Sequence, residues 1–328
     1  MADSTDQKSF SIASNQSELD NRIFDKLRRE LGEQVCALLE DPTVIEVMLN
    51  PDGKLWVERL GSPMEHIGYM KANQALALMS TVASTLKTQV TAQNPILECE
   101  LPLDGSRFEA LIPPVVSAPS FTIRKKALKV FTLDDYVRSG IMTLEQCEYI
   151  KDAVRNRYNI LVVGGTGTGK TTLTNAIIAY MAESCPLHRL AILEDTGELQ
   201  CSAENVITMR SVDNVDMTRL LKATMRLRPD RILIGEVRDG AALALLKAWN
   251  TGHPGGVVTI HANSAFAGLI RMEQLVSEAT QAPMQTLIAE AVDLIVSIEK
   301  TPTGRQIKEV IRVSGHSETG YVTESLAL

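Results

Sequence analysis

The run GGTGTGKTT, comprising Gly164, Gly165, Thr166, Gly167, Thr168, Gly169, Lys170, Thr171 and Thr172, has the residue types and spacing of a phosphate-binding loop. Glycines let backbone N–H groups curl around a phosphate with no Cβ in the way. A helix opening at the end of the loop adds the partial positive charge of its first turn. Lys170 then supplies a point charge to the β- and γ-phosphates, and the Thr171 hydroxyl is placed to coordinate Mg²⁺. The apolar NILVVG before the loop and the helix-like LTNAI after it are the strand and helix that this motif requires. The competing reading, a glycine turn with no ligand, does not account for that context.

Hydrolysis of a bound ATP needs more than a cradle. Carboxylates at the tips of neighbouring strands must hold metal and attacking water. LAILEDTGEL ends in Glu194, Asp195 and Glu198, and RILIGEVRD ends in Glu236 after Gly235. A carboxylate at the end of an apolar run is costly unless a cation or water compensates it. Taken singly, each could be a helix cap or a surface charge. Together, beside a phosphate loop, they point to catalysis, with Glu194 and Asp195 able to reach a metal through water.

Those groups must be positioned by a scaffold, and the pattern predicts two domains. Apolar residues at helical spacing predict one amphipathic helix from Arg22 to about Leu39. TVIEVMLNPDGKLWVERLG reads as a hairpin turning at Pro51-Asp52-Gly53. A helix over Asn73 to Leu86 follows, then strands around Asp104-Gly105 and the strand SFTIRK. This predicts a smaller α+β N-terminal domain over residues 21–126, after a disordered leader at 1–20 and before a linker at 127–133. FTLDDYVRSG predicts a brief helix stopped by Gly140, and Thr143 with Gln146 makes a capping box for the next one. Over 134–328 the strands NILVVG, LAILED, VITM, RILIGE and GVVTIHA alternate with helices, the signature of an α/β domain with a mainly parallel sheet.

Composition sets limits. With 33 Lys and Arg against 40 Asp and Glu the net charge is -7, the wrong sign for a protein that binds nucleic acid through its overall field. No apolar run approaches the roughly 18 to 20 residues that span a bilayer, and the polar start is unlike a signal peptide. Neither end carries a lipidation motif. The five cysteines form no C-x-x-C pair, which fits reduced thiols and a cytoplasmic chain.

Taken together, GGTGTGKTT, LEDTGEL, RLRPDRILIGEVRDGAA and TGHPGGVVTIHANSA resemble the secretion ATPases that drive type IV secretion, type II secretion and type IV pili, most specifically the conjugative-transfer branch. The likeness covers about residues 20 to 328 and implies a RecA-like P-loop fold for the second domain. It makes Lys170 and Thr171 the Walker A pair, Glu236 a Walker B glutamate and EDTGE an Asp box whose Glu198 polarises the attacking water. TIHAN resembles the His box, which makes His261 a sensor of the γ-phosphate. Arg107 in DGSRFEA and Arg124 in FTIRKK match phosphate-reaching arginines, and Arg210, Arg226, Arg228 and His253 are further candidates. A strand-end histidine or a half-exposed arginine is otherwise a structural residue or a solvated face.

The resemblance implies a homohexameric ring that uses ATP and Mg²⁺ at the cytoplasmic side of the inner membrane. Its partners there would be inner-membrane secretion components and a coupling or second ATPase, with no sequence-specific nucleic-acid binding. Two other readings of the residues stay open: a nucleic-acid-dependent RecA-like motor, which DNA-stimulated turnover would mark, and a nucleotide switch without turnover.

Overall fold

The computed structural model divides into two compact units, Met1–Leu128 and Lys129–Leu328. Residues 21–59, 62–126, 130–212, 214–302 and 304–327 are described. The expected leader at 1–20 and residues 127–129 of the expected linker lie outside them.

Alternation of apolar and polar residues builds the first unit. Its elements are α1 (21–31), α2 (Glu33–Glu40), β1 (Val44–Leu49), β2 (Lys54–Arg59), β3 (Glu65–Tyr69), α3 (Ala72–Thr85), β4 (Ile96–Glu100), β5 (Arg107–Leu111) and β6 (Ser120–Arg124). The strands order as β3-β2-β1-β6-β5-β4, with each adjoining pair antiparallel. Val47, Val57, Ile123 and Phe108 meet across the register and pack on Leu27, Leu31, Val35, Leu78 and Met79 of the helices. The other face carries Glu46, Glu58, Glu109, Arg107 and Arg124 together with Met48 and Trp56. One expectation is corrected: the single helix over 22–39 is two. Gly32 takes φ +82°, a left-handed value that glycine alone adopts freely, and the chain turns there while Leu31 and Val35 still reach one core.

The second unit comprises α4 (Leu133–Arg138), α5 (Leu144–Arg155), β7 (Ile160–Gly164), α6 (Lys170–Ser184), β8 (Leu190–Glu194), β9 (Val206–Arg210), α7 (Met217–Thr224), β10 (Arg231–Ile234), α8 (Ala241–Asn250), β11 (Val257–His261), α9 (Ala265–Ser277), α10 (Gln285–Ala291), β12 (Leu294–Thr301), β13 (Gly304–Ser317) and β14 (Gly320–Ala327). Its sheet runs β14-β13-β12-β7-β11-β10-β8-β9. The six strands from β12 to β9 are parallel, and β13 and β14 add an antiparallel margin. Every residue of β7 and β8 is buried because helices cover both faces: Leu161 and Val163 enter one core, Ile160 and Val162 the other. Thr132 with Asp135 and Thr143 with Gln146 form capping boxes that start α4 and α5.

The amino-terminal ends of the parallel strands are tied by buried polar side chains. Asn159 donates from Nδ2 to the Ala291 carbonyl at 2.8 Å and accepts at Oδ1 from the N–H groups of Gly255 and Gly256. Arg231, fully buried, donates to His188 Nδ1 and to the carbonyls of Gly255 and Val154, each at 2.9 Å. Burying a guanidinium is tolerable only with such a set of acceptors.

Candidate active site

The phosphate loop and the carboxylates read from the sequence gather at the carboxyl ends of β7, β8, β10 and β11. Gly164 ends β7 where a Cβ would come within 2.4 Å of the Ile298 carbonyl oxygen, so the strand can close on β12 only with glycine there. Gly167 at φ +71° and Gly169 at φ +98° curl the chain back to the start of α6. Thr168 is buried and its hydroxyl donates to the Gly165 carbonyl at 3.0 Å, whereas Thr166 is exposed and Thr172 lies in the first turn of α6. Lys170 is 8% exposed, and its Nζ donates to the carbonyls of Gly164 and Gly165 at 2.9 Å each.

The loop after β8 folds over α6. Glu198 Oε2 accepts from the Thr171 hydroxyl at 3.3 Å, while Asn175 clamps the same loop by donating to the Glu198 carbonyl and accepting from Gln200 N–H. Glu194 is 2% exposed, and its Oε1 accepts the N–H groups of Glu198 at 2.9 Å and Leu199 at 2.8 Å. Burial pushes its carboxyl up to about 7 against those two hydrogen bonds. Its Cγ and Oε1 also fill the space above Gly235, where a Cβ would meet them at 3.2 and 3.3 Å. Glu194, expected as a water-mediated metal ligand, anchors through Oε1 the loop that carries Glu198, while its Oε2 is buried without a partner. Asp195 is exposed and accepts from the Ser211 hydroxyl.

His261, at the tip of β11, stands opposite Gly164 in the register. Its Nδ1 lies 3.2 Å from Lys170 Nζ and its Nε2 lies 2.7 Å from Glu236 Oε1. The other oxygen of Glu236 takes Arg238, with Nε at 2.6 Å. Thr259 secures the backbone beneath by donating to the Gly235 carbonyl at 2.6 Å.

The remaining candidates divide by place. Arg210 lies over the turn after β8, its Nη2 where a Cβ on Gly197 would stand. Arg226 and Arg228 are exposed in the turn before β10, and His253, before β11, meets the Pro229 carbonyl at 3.0 Å. These three sit at the amino ends of the parallel strands, so within this unit they are remote from the phosphate loop. Arg107 and Arg124 belong to the first unit, directly opposite one another on β5 and β6. The register continues the row through Glu58, Glu46, Arg124, Arg107 and Glu100 on the same sheet face. Two guanidiniums side by side repel, which suits an anion between them.

Mg²⁺ keeps several waters and needs only one or two protein oxygens. Thr171 Oγ1 beside Glu198 Oε2 fits that demand. Among the described residues no cluster of three or more His, Cys, Asp or Glu could hold a metal by itself. Sequence reasoning missed Asn175 and Arg238. Arg238 stands two residues after Glu236 in GEVRD, a spacing that could have marked it as the partner of that carboxylate.

Residues 30–308 match the family model described as type II/IV secretion system protein. The chain is 55% identical over 304 residues to the probable conjugal transfer protein TrbB of Sinorhizobium fredii, covering 93% of this chain and 94% of that one. It is 54% identical over 306 residues to the conjugal transfer protein TrbB of Rhizobium radiobacter, covering 93% and 95%. Among solved structures the ATPase DotB of Yersinia pseudotuberculosis shares the fold, with a TM-score of 0.62 at 18% identity over 85% of this chain and 78% of that one.

Proposed function

Because the chain belongs to the type II/IV secretion system protein family, we propose that it is an ATPase that powers conjugative transfer through a type IV secretion channel and its pilus. The observation that carries this reading is the convergence of Lys170, Thr171, Glu198, Glu236 and His261 on one end of the parallel sheet. The glycine loop and the first turn of α6 receive the phosphates, and Lys170 offsets their charge. Thr171, beside Glu198, would hold Mg²⁺, which would supply charge neutralisation to the phosphates. Glu198 orients the attacking water, and Glu236, held by Arg238 and His261, presents a second carboxylate to the same space.

In this reading residues 21–126 form a nucleotide-closing domain, 127–133 the hinge and 134–328 the motor domain. The working assembly is a homohexameric ring in which Arg107 and Arg124 reach the phosphates, since transferring phosphate spreads negative charge that arginine stabilises. No described helix is long and apolar enough to cross a membrane; in this reading the contact with the inner membrane is peripheral and runs through secretion components and a coupling or second ATPase.

The test is ATP turnover per subunit against protein concentration without nucleic acid, with Lys170→Ala as blank. Turnover that rises to a plateau as subunits associate, and is absent in the blank, supports the ring motor. Turnover equal in wild type and blank would refute the assigned site.

A further inference from the structure

A second cation stands at the phosphate loop, and nothing in the motif calls for it. The β12–β13 hairpin crosses the loop: the Ile298 carbonyl closes on Gly164, and seven residues later the Arg305 side chain lies on Gly169, where a Cβ would meet its Cδ at 3.2 Å. Arg305 Nη2 reaches the Gly167 carbonyl only at 3.4 Å, a long contact for a guanidinium. Its Nε is buried with no acceptor, and no carboxylate pairs with Arg305 among the described residues. A guanidinium carries five donors and cannot shed its charge. A buried donor is costly unless an acceptor completes it. The acceptor that a glycine loop and a helix start are built to bring is a phosphate. The same charge is felt at the buried Tyr136 phenol, whose pKa burial raises and Arg305 lowers, so the guanidinium lies between α4 and the loop.

We infer that Arg305 is a nucleotide-binding residue, its guanidinium completing the phosphate site from the rim of Gly167 and Gly169 opposite Lys170. The inference rests on the nucleotide site proposed above and adds to it a contact from the antiparallel margin of the sheet. Glycine at 169 then has two reasons: its left-handed φ, and the space that the arginine stem occupies.

The experiment is titration of full-length protein with a fluorescent ADP analogue, alongside the melting temperature of the nucleotide-free protein, for wild type, Arg305→Gln and Arg305→Lys. Loss of a charge-assisted contact should weaken ADP binding at least about tenfold in Arg305→Gln. Lysine, which keeps the charge without the fork, should fall between. Melting temperatures should stay together. Equal ADP affinity in wild type and Arg305→Gln would overturn the inference. So would a loss of affinity matched by a lowered melting temperature that lysine does not restore, since that is the mark of a brace for the hairpin. If wild type itself binds no ADP, the nucleotide site fails first; if it binds and Arg305→Gln binds equally, only the role of Arg305 fails.

Discussion

Lys170 Nζ lies 3.2 Å from His261 Nδ1. An ammonium can only donate, so that ring nitrogen accepts, while Nε2 lies 2.7 Å from Glu236 Oε1. One imidazole therefore stands between Lys170 of the glycine loop and the Glu236 carboxylate. Replacing His261 with alanine should cut kcat by about 100-fold, the usual scale for a lost proton-handling or positioning group. ADP affinity, measured by fluorescence titration, should change by less than about threefold, because the loop itself is intact. A large loss of ADP affinity with unchanged kcat would assign His261 to binding instead.

Glu198→Gln keeps the shape of the loop and its backbone hydrogen bonds to Glu194 and Asn175. ATP should bind, and single-turnover hydrolysis should slow by about 100-fold or more. Hydrolysis at the wild-type rate would remove Glu198 from the mechanism.

Glu194 gives stability a pH dependence. Its carboxyl is raised from 4.5 to about 7 in the fold, so the folded state holds a proton that the unfolded chain has lost. The contribution is fully present below about pH 4.5 and is lost as pH rises to 7. The slope amounts to about 3 kcal/mol over that window. Denaturant unfolding of Glu194→Gln should show that this component of the slope has gone, and persistence of the full slope would place its origin elsewhere.

Two glycines of one loop should answer differently to alanine. At Gly164 the new Cβ meets the Ile298 carbonyl, backbone that cannot yield, and overpacking of this kind costs about 1–3 kcal/mol or more. At Gly167 nothing lies within 4 Å, and only the left-handed φ of +71° is strained, at about 1–2 kcal/mol. Calorimetry should therefore find Gly164→Ala the less stable, while ADP binding per folded molecule suffers at Gly167.

Arg107 and Arg124 oppose one another across β5 and β6. Relieving like charge should leave the melting temperature of Arg107→Gln unchanged or slightly higher. Turnover should fall by at least about tenfold if both arginines reach phosphate. A drop in stability without a drop in turnover would make them a structural pair with Glu46 and Glu100.

How much of this was legible in the sequence depends on range. The glycine loop, the Thr143–Gln146 capping box and the Pro51-Gly53 turn are written in neighbouring residues whose local chemistry admits few alternatives, and all are present. The break at Gly32 was hidden because Leu31 and Val35 keep helical spacing across it. The β12–β14 margin of the second sheet was not foreseen, so neither was Arg305 beside the loop. Glu194 and Glu198 sit four residues apart in the same acidic string. Only the fold shows that one turns inward to hold the other.

The buried ties of Asn159 and Arg231 have a mechanical consequence. At that end of the sheet, strands are riveted by side chains that have no part in catalysis. At the opposite end, the loops are fastened by the residues proposed for catalysis, through Thr171 with Glu198 and Lys170 with His261. If a nucleotide recruits those groups, as proposed, one end of the sheet would unfasten and refasten while the other stays tied. Slow amide exchange at Gly255 and Gly256, indifferent to nucleotide, would be the signature of such an anvil, with Glu198 and Leu199 moving against it.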